Sequence, residues 1–435
     1  MNIKKGISGL FCALAVSALL SCAMTQKASA APYKEPVSPA LYILAEESDM
    51  AMAGIRGNSI SFSGEDFCRA MNLSKLYSIT VTKVPALTDG ELRLGNTVVT
   101  SGQTISASDL SRLTYTQSGA NIYQSSFRFS VNGSPVDVTC NLYLLEEYNE
   151  CPTLSPAGKN FTDVSTHRDV TLYGTLPCYD PEGDETVIEI VSYPETGSLV
   201  LTDKYTGEYT FTPKEGYSGK DEFTYVARDK YGNYSASATV TLTVSKPKTS
   251  VAYADMTDSK GYNAALTMTE NGIMSGASVG SDTYFYPDKT VSREDFVVMA
   301  MNALGMRELT KVDKTVFADD SDISASARDY IGAAYELGYI KGEVSSDGAL
   351  CFYPDRAITR AEAACILADM IDAATPTVSP VFSDASDIPT WAAPSIYSLS
   401  YMGILNTTDG NISPMAKLTR EDTAIILSAV MNSEK

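Results

Sequence analysis

The chain is poor in the residues on which most catalytic devices are built. Its 435 residues hold one histidine, His167, and one tryptophan, Trp391. A single histidine allows at most one Ser-His-Asp or Cys-His arrangement. The surrounding string Val164-Ser165-Thr166-His167-Arg168-Asp169 reads as a domain-entry loop, where a solvated imidazole is expected. HExxH and Walker A strings are absent. One G-x-S-x-G occurs, Gly276-Ala277-Ser278-Val279-Gly280, in a polar loop without the strand and helix of a nucleophile elbow. Basic residues are scarce as well: 33 Lys and Arg against 53 Asp and Glu give a formal net charge of −20. With no basic field to recruit phosphates, nucleic acid is not an expected partner. None of the eight cysteines shows a C-x-x-C metal spacing. Paired carboxylates can hydrolyse a glycan without histidine, but in so acidic a chain such pairs arise by chance. The expected class is non-catalytic.

Long apolar runs are missing too. Lys4-Lys5, the run Leu10 to Leu20 and Ala28-Ser29-Ala30 make residues 1–30 a secretion signal. Leu19-Leu20-Ser21-Cys22 offers a second reading, a lipobox with Cys22 lipidated. Both stay open. No other stretch approaches the 18 apolar residues of a membrane span, so no transmembrane helix is expected after signal removal. Export permits disulfides, and Cys68–Cys140 is the first pair to consider. Cys365, on an apolar helix, reads as a buried thiol.

What is abundant is repetition. A unit recurs three times, opening on aromatic-x-Asp at Tyr253-Ala254-Asp255, Phe317-Ala318-Asp319 and Phe382-Ser383-Asp384. Each then shows Gly-apolar or Gly-aromatic (Gly272-Ile273, Gly338-Tyr339, Gly403-Ile404), and a polar loop ending at Phe285-Tyr286-Pro287, Phe352-Tyr353-Pro354 or Ile412-Ser413-Pro414. Each closes on Ser/Thr-Arg: Ser292-Arg293, Thr359-Arg360, Thr419-Arg420. A period of this kind is one supersecondary unit copied. Ile331, Ala334 and Tyr335 stand at i, i+3, i+4 before Gly338, which predicts a helix ending there. Ser292, Thr359 and Thr419, each with an acid three residues on, predict N-caps worth about 1 kcal/mol each. The arginines are unexplained by capping, because a cation in the first turn faces the positive end of the macrodipole. They call for a partner, either the aromatic-x-Asp carboxylates or an anionic ligand.

These motifs resemble the S-layer homology (SLH) family, whose usual set is three copies. The resemblance implies an all-α, pseudo-threefold trefoil whose inter-repeat grooves bind an anionic secondary cell-wall polymer. Carried over residue by residue, it implies polymer-binding roles for Arg293, Arg360, Arg420, Asp255, Asp319, Asp384 and Trp391. The Trp is kept only at Trp391; Lys260 and Ser326 stand in its place in the first two copies. The second Gly of the family's Gly-Ile-x-x-Gly pattern stands at Gly276 and Gly342 but becomes Thr407 in the third. One or two working grooves are therefore expected.

Between Ala51 and Ser245, Thr, Val, Tyr and Ser alternate between Gly-containing turns, as in half-buried strands of a β-sandwich. Asp180-Pro181-Glu182-Gly183-Asp184, Tyr209-Thr210-Phe211-Thr212-Pro213 and Gly216 to Tyr225 resemble bacterial cadherin-like or Ig-like modules. A weaker copy precedes: Leu113, Tyr115 and Phe127 lie 96 residues before Tyr209, Phe211 and Phe223. Asp180, Glu182 and Asp184, with Asp229, could supply hard oxygen ligands to Ca²⁺; a solvated acidic turn is the alternative. No other cofactor is expected.

The sequence thus predicts a multidomain chain: signal 1–30, an Ig/cadherin-like module 41–150, a cadherin-like module 151–246, and SLH repeats at 251–310, 311–376 and 377–435. The leading expectation is a non-catalytic, secreted cell-surface protein held on wall polymer, its two all-β sandwich modules acting as spacer or adhesive region. The alternatives are a wall-active glycan or peptidoglycan hydrolase with its catalytic domain in 41–150, and an S-layer lattice subunit.

Overall fold

The computed structural model describes residues 49–154, 163–257, 259–376, 380–408 and 410–433. The expected signal and Cys22 lie outside the described residues.

The first module has nine strands: β1 Met50–Ile55, β2 Ile60–Ser61, β3 Ser78–Lys83, β4 Gly90–Leu94, β5 Thr97–Val98, β6 Gln103–Ser106, β7 Leu113–Gln117, β8 Gln124–Val131 and β9 Val138–Leu145. They form two sheets, ordered β1-β9-β8-β3-β6 and β2-β7-β4-β5, with β1 parallel to β9. Helix α1, Gly64–Ala70, is held by a capping box between Ser63 and Asp66. The second module repeats the plan with β10 Asp163–His167, β11 Leu172–Thr175, β12 Thr186–Ser192, β13 Gly197–Asp203, β14 Glu208–Pro213, β15 Gly219–Asp229 and β16 Ala238–Ser245. Its sheets run β10-β16-β15-β12 and β11-β14-β13, again with the first strand parallel to the last. Tyr115 faces Leu92 across β7 and β4 as Phe211 faces Leu199 across β14 and β13. All four side chains are buried, so the 96-residue offset reflects a repeated core.

Cys68 and Cys140, the first pair considered for a disulfide, are not bonded to each other. Cys140 points inward from the alternating strand β9 and packs as a small apolar group; its burial pushes the thiol well above its ordinary value.

In the C-terminal region each repeat has two helices: α2 Tyr262–Glu270 and α3 Arg293–Ala303, α4 Arg328–Glu336 and α5 Arg360–Met370, α6 Ala393–Tyr401 and α7 Arg420–Ser433. The first helix ends as its glycine predicts: Gly338 sits at φ +81° and Tyr339 N–H reaches back to Ala334 O at 2.9 Å. Thr359 and Thr419 form reciprocal pairs with Glu362 and Asp422, whereas Ser292 only accepts from Asp295 N–H.

The repeats are not all-α, contrary to expectation. The polar loop folds into a hairpin in the first copy, β17 Ala277–Val279 with β18 Asp282–Tyr284, and in the second, β19 Glu343–Val344 with β20 Leu350–Cys351. Its physical basis is the glycine before each hairpin. A Cβ on Gly276 would lie 2.5 Å from the Tyr253 ring, and one on Gly342 would lie 2.6 Å from the Phe317 ring. The leading aromatic thus packs beneath the hairpin only where a glycine admits it. In the third copy Thr407 occupies that place and, among the described residues, the pairing there is the bridge Thr408–Asn411. The G-x-S-x-G string lies in the exposed first hairpin and forms no elbow.

The repeats close on one another. Val291 N–H donates to Leu418 O, Leu418 N–H to Ile358 O, and Ile358 N–H to Val291 O, each at 3.0 Å. These residues directly precede the helix caps, and one hydrophobic core runs through all three repeats.

Candidate functional site

The three leading aspartates do identical work. Asp255 accepts from Phe285 N–H (2.8 Å) and Tyr286 N–H (2.7 Å). Asp319 does the same for Phe352 and Tyr353, and Asp384 for Ile412 and Ser413. Tyr286, Tyr353 and Ser413 all sit at positive φ, between +51° and +58°. Such a backbone costs about 1–3 kcal/mol for a residue with a side chain, and the carboxylate's two charge-assisted bonds hold it. The aspartates therefore shape the turn and do not pair with the arginines.

The arginines reach instead to the next repeat around the ring. Arg293 is 6% exposed; its Nε–H donates to Phe352 O at 3.0 Å and its head lies over the Phe352 ring. Its Nη1 also pairs with Glu362 at 3.3 Å. Arg356 joins that network through Glu362 and a two-pronged contact to Glu343, so two arginines meet two glutamates there. Arg420 donates from Nε to Phe285 O (2.8 Å) and from Nη2 to Ser275 O (2.7 Å), over the Phe285 ring. Arg360 differs. Its Nη2 meets Asn406 O, but its buried Nε–H has no partner. The third copy has Ile412 where the others have phenylalanine, so no ring lies beneath it. Burial pulls all three guanidinium groups below their ordinary value, though an arginine stays charged in a protein.

Trp391 is 56% exposed, just before α6. Its backbone oxygen lies 3.9 Å from Cys365 Sγ on α5, five residues after Arg360, or about 7.5 Å along the helix. Lys260 and Ser326 are exposed and offer no ring. Cys365 is half-buried, its thiol raised by that burial.

A second inter-repeat contact escaped the sequence reading. Glu294 Oε2 accepts from Ser324 N–H (2.9 Å), and Glu421 Oε1 from Gly261 N–H (2.9 Å). In the second copy the glutamate position is Ala361, and the counterpart of Ser324 in the third is Pro389, which has no N–H. Aligning the second and third copies would have shown Ala361 and Pro389 changing together.

In the second β module, one oxygen each of Asp180, Glu182 and Asp184 lies within 4.8 Å of the others; Asp229 does not join this group. Asp180 is 5% exposed, and its Oδ2 has no partner. Burial raises the Asp180 and Asp229 carboxyls. Asp229 is engaged in its own turn, accepting from Tyr231 N–H and Asn233 N–H. Lys230 Nζ stands 2.6 Å from Asp184 Oδ1, and Asn149, before the second module's first strand, donates to Glu182 and Asp184. No helix among the described residues is long and apolar enough to cross a membrane.

Comparison with known proteins bears on both regions. The bacterial cadherin-like domain matches residues 149–246, and the S-layer homology domain matches 252–297, 316–364 and 381–424. A surface-layer 125 kDa protein of Lysinibacillus sphaericus is 30% identical over 210 residues, 46% of this chain and 17% of that protein. An amylopullulanase of Thermoanaerobacterium thermosulfurigenes is 26% identical over 41% of this chain and 9% of its own length. The exoglucanase XynX of Acetivibrio thermocellus is 26% identical over 52% of this chain and 20% of its own. The chain thus spans a fifth or less of the length of these relatives.

Proposed function

The chain carries a bacterial cadherin-like domain followed by three S-layer homology repeats, which place it at the cell surface; from this premise we propose that it is a non-catalytic wall-anchored protein that grips an anionic wall polymer mainly through one groove. That groove lies between the second and third repeats, at Arg360 and Trp391. The observation that carries the reading is the unpartnered Nε–H of Arg360, on the helix whose Cys365 lies against the backbone of the exposed Trp391. Arg293 is neutralised by Glu362, and Arg420 gives its donors to two backbone carbonyls. A guanidinium supplies a planar fork for a carboxylate, and an indole supplies a face for a sugar ring. The pseudo-threefold arrangement and the domain limits 41–150, 151–246, 251–310, 311–376 and 377–435 belong to the same proposal. The aspartates act behind the groove, fixing the turns that line it.

The test is sedimentation of the protein with purified cell walls, before and after extraction of the secondary polymer. Arg360→Ala and Trp391→Ala should each lower bound protein at least about tenfold while leaving the melting temperature nearly unchanged. Binding that survives both changes, or that ignores extraction, would sink the reading.

The glycosidase relatives favour a second reading, a wall-active hydrolase. Release of reducing sugar from purified wall glycan by the first β module would establish it. A lattice subunit would instead form ordered sheets on its own. Calcium at Asp180, Glu182 and Asp184 is proposed on the strength of the bare Asp180 Oδ2. Millimolar Ca²⁺ should raise the melting temperature of the β modules, and Lys230→Ala should strengthen the effect by removing a competing cation.

A further inference from the structure

The one histidine of the chain joins the second β module to the anchor. His167 ends β10, and it is 6% exposed, not the solvated loop residue the sequence leads one to expect. Its ring packs on α2 of the first repeat, with Nδ1 2.7 Å from Asn263 Oδ1 and Nε2 3.2 Å from Glu270 Oε2. The orientation of Asn263 is fixed from both ends: its Nδ2 donates to Ser165 O at 2.9 Å, and its Oδ1 accepts from the His167 backbone N–H at 3.1 Å. Oδ1 therefore offers the ring only lone pairs. Glu270 also offers only lone pairs, and its Oε1 already accepts from Lys248 N–H in the linker at 2.6 Å. Burial works against the charged form of Glu270, but the Lys248 and His167 bonds outweigh it and hold the carboxyl below its ordinary value. An imidazole facing two acceptors fills both bonds only as the imidazolium.

The charged surroundings are few. Arg168 and Asp169 follow His167 and pair with each other at 3.6 Å. From α2, Glu270 is the charged group in contact with the ring among the described residues, and the linker contributes the backbone N–H of Lys248. A second tie lies elsewhere on the same junction: Tyr179 O–H donates to Tyr401 O on α6 at 2.6 Å, with the two rings 4.4 Å apart. Burial pushes the Tyr179 phenol far up, so this tie does not titrate near neutrality.

We propose that His167, Asn263 and Glu270 form a proton-dependent latch that seats the cadherin-like module on the first repeat in mild acid and loosens it as the imidazolium deprotonates. The Tyr179–Tyr401 contact then serves as the pivot. The sign follows from linkage. In the seated state both acceptors facing the ring are filled only while it carries its second proton. Raising the pH therefore works against seating, by at most about tenfold per pH unit for one proton.

The test uses the full chain and trypsin cleavage after Lys248, normalised at each pH to a free peptide of the linker sequence. Between pH 5.5 and pH 8.5 the normalised rate should rise about tenfold or more in the wild type. In His167→Gln and Glu270→Gln it should be independent of pH. The single imidazole resonance in NMR reports the protonation step without ambiguity. A wild-type rate flat across this range, or an unchanged pH dependence in both variants, would overturn the latch. If His167→Gln does not fold, Glu270→Gln decides the same question.

Discussion

Arg420 donates its Nε–H to the carbonyl oxygen of Phe285, 2.8 Å away and 135 residues earlier in the chain. The last helix is thereby fastened to the first repeat. Arg293 makes the same bond to Phe352, one repeat further along, and Arg360 does not make it. Residues at equivalent sequence positions thus differ in what they hold: Arg293 and Arg420 each fasten their Nε–H to a phenylalanine carbonyl, and Arg360 leaves its own unpartnered.

That division is measurable. Arg420→Ala removes two hydrogen bonds and a ring contact, and should cost about 2–4 kcal/mol in urea unfolding. Arg360→Ala should cost about 1 kcal/mol or less while lowering wall binding at least about tenfold. Equal losses of stability would contradict the assignment.

The turn-holding role of Asp319 predicts a graded response. Asp319→Ala leaves the Phe352 and Tyr353 N–H groups without their acceptor, at about 1–3 kcal/mol each where they are buried. Asp319→Asn keeps one acceptor oxygen and should lose clearly less. Thermal melts of the two variants side by side distinguish this from a purely electrostatic role, in which both would lose alike.

Gly342 carries a steric prediction. At φ +72°, and with a Cβ position 2.6 Å from the Phe317 ring, Gly342→Ala should cost about 1–3 kcal/mol. Gly348 also lies at positive φ, but a Cβ there meets nothing within 4 Å. Gly348→Ala should therefore lose less, and the difference in melting temperature measures the crowding alone.

Acid should weaken the arginine–glutamate cluster of the second repeat. The Glu343 carboxyl is held below its ordinary value, chiefly by its hydrogen bond from Arg356. Its contribution is complete above the unfolded carboxyl value of about 4.3 and is lost as pH falls through the lower folded value. The stability difference between wild type and Glu343→Gln should narrow steadily from about pH 5 to about pH 2. A constant difference across that range would show that the pair contributes nothing through charge.

Much of this was legible in the sequence because it is local. Gly338 ends its helix, Thr359 caps the next one, and Tyr115 and Phe211 mark the same strand of a repeated sandwich. The partners of the arginines were not legible. Arg420 binds a carbonyl, and a carbonyl belongs to every residue, so no side-chain pattern announces it. The hairpins were missed because a Gly-containing polar loop reads alike whether or not its ends pair. His167 was misplaced for a related reason: its partners Asn263 and Glu270 stand about a hundred residues away on a helix whose own pattern does not require them.

The cycle of hydrogen bonds among Val291, Ile358 and Leu418 has a bearing on timing. A chain threaded out of the cell with its N-terminus leading would present the two sandwiches early, each with strands enough to fold. The anchor could not follow piece by piece, because its first repeat waits for Leu418 and Arg420 from its third. Attachment to the wall would then wait until the third repeat has emerged, by which time both sandwiches are already outside.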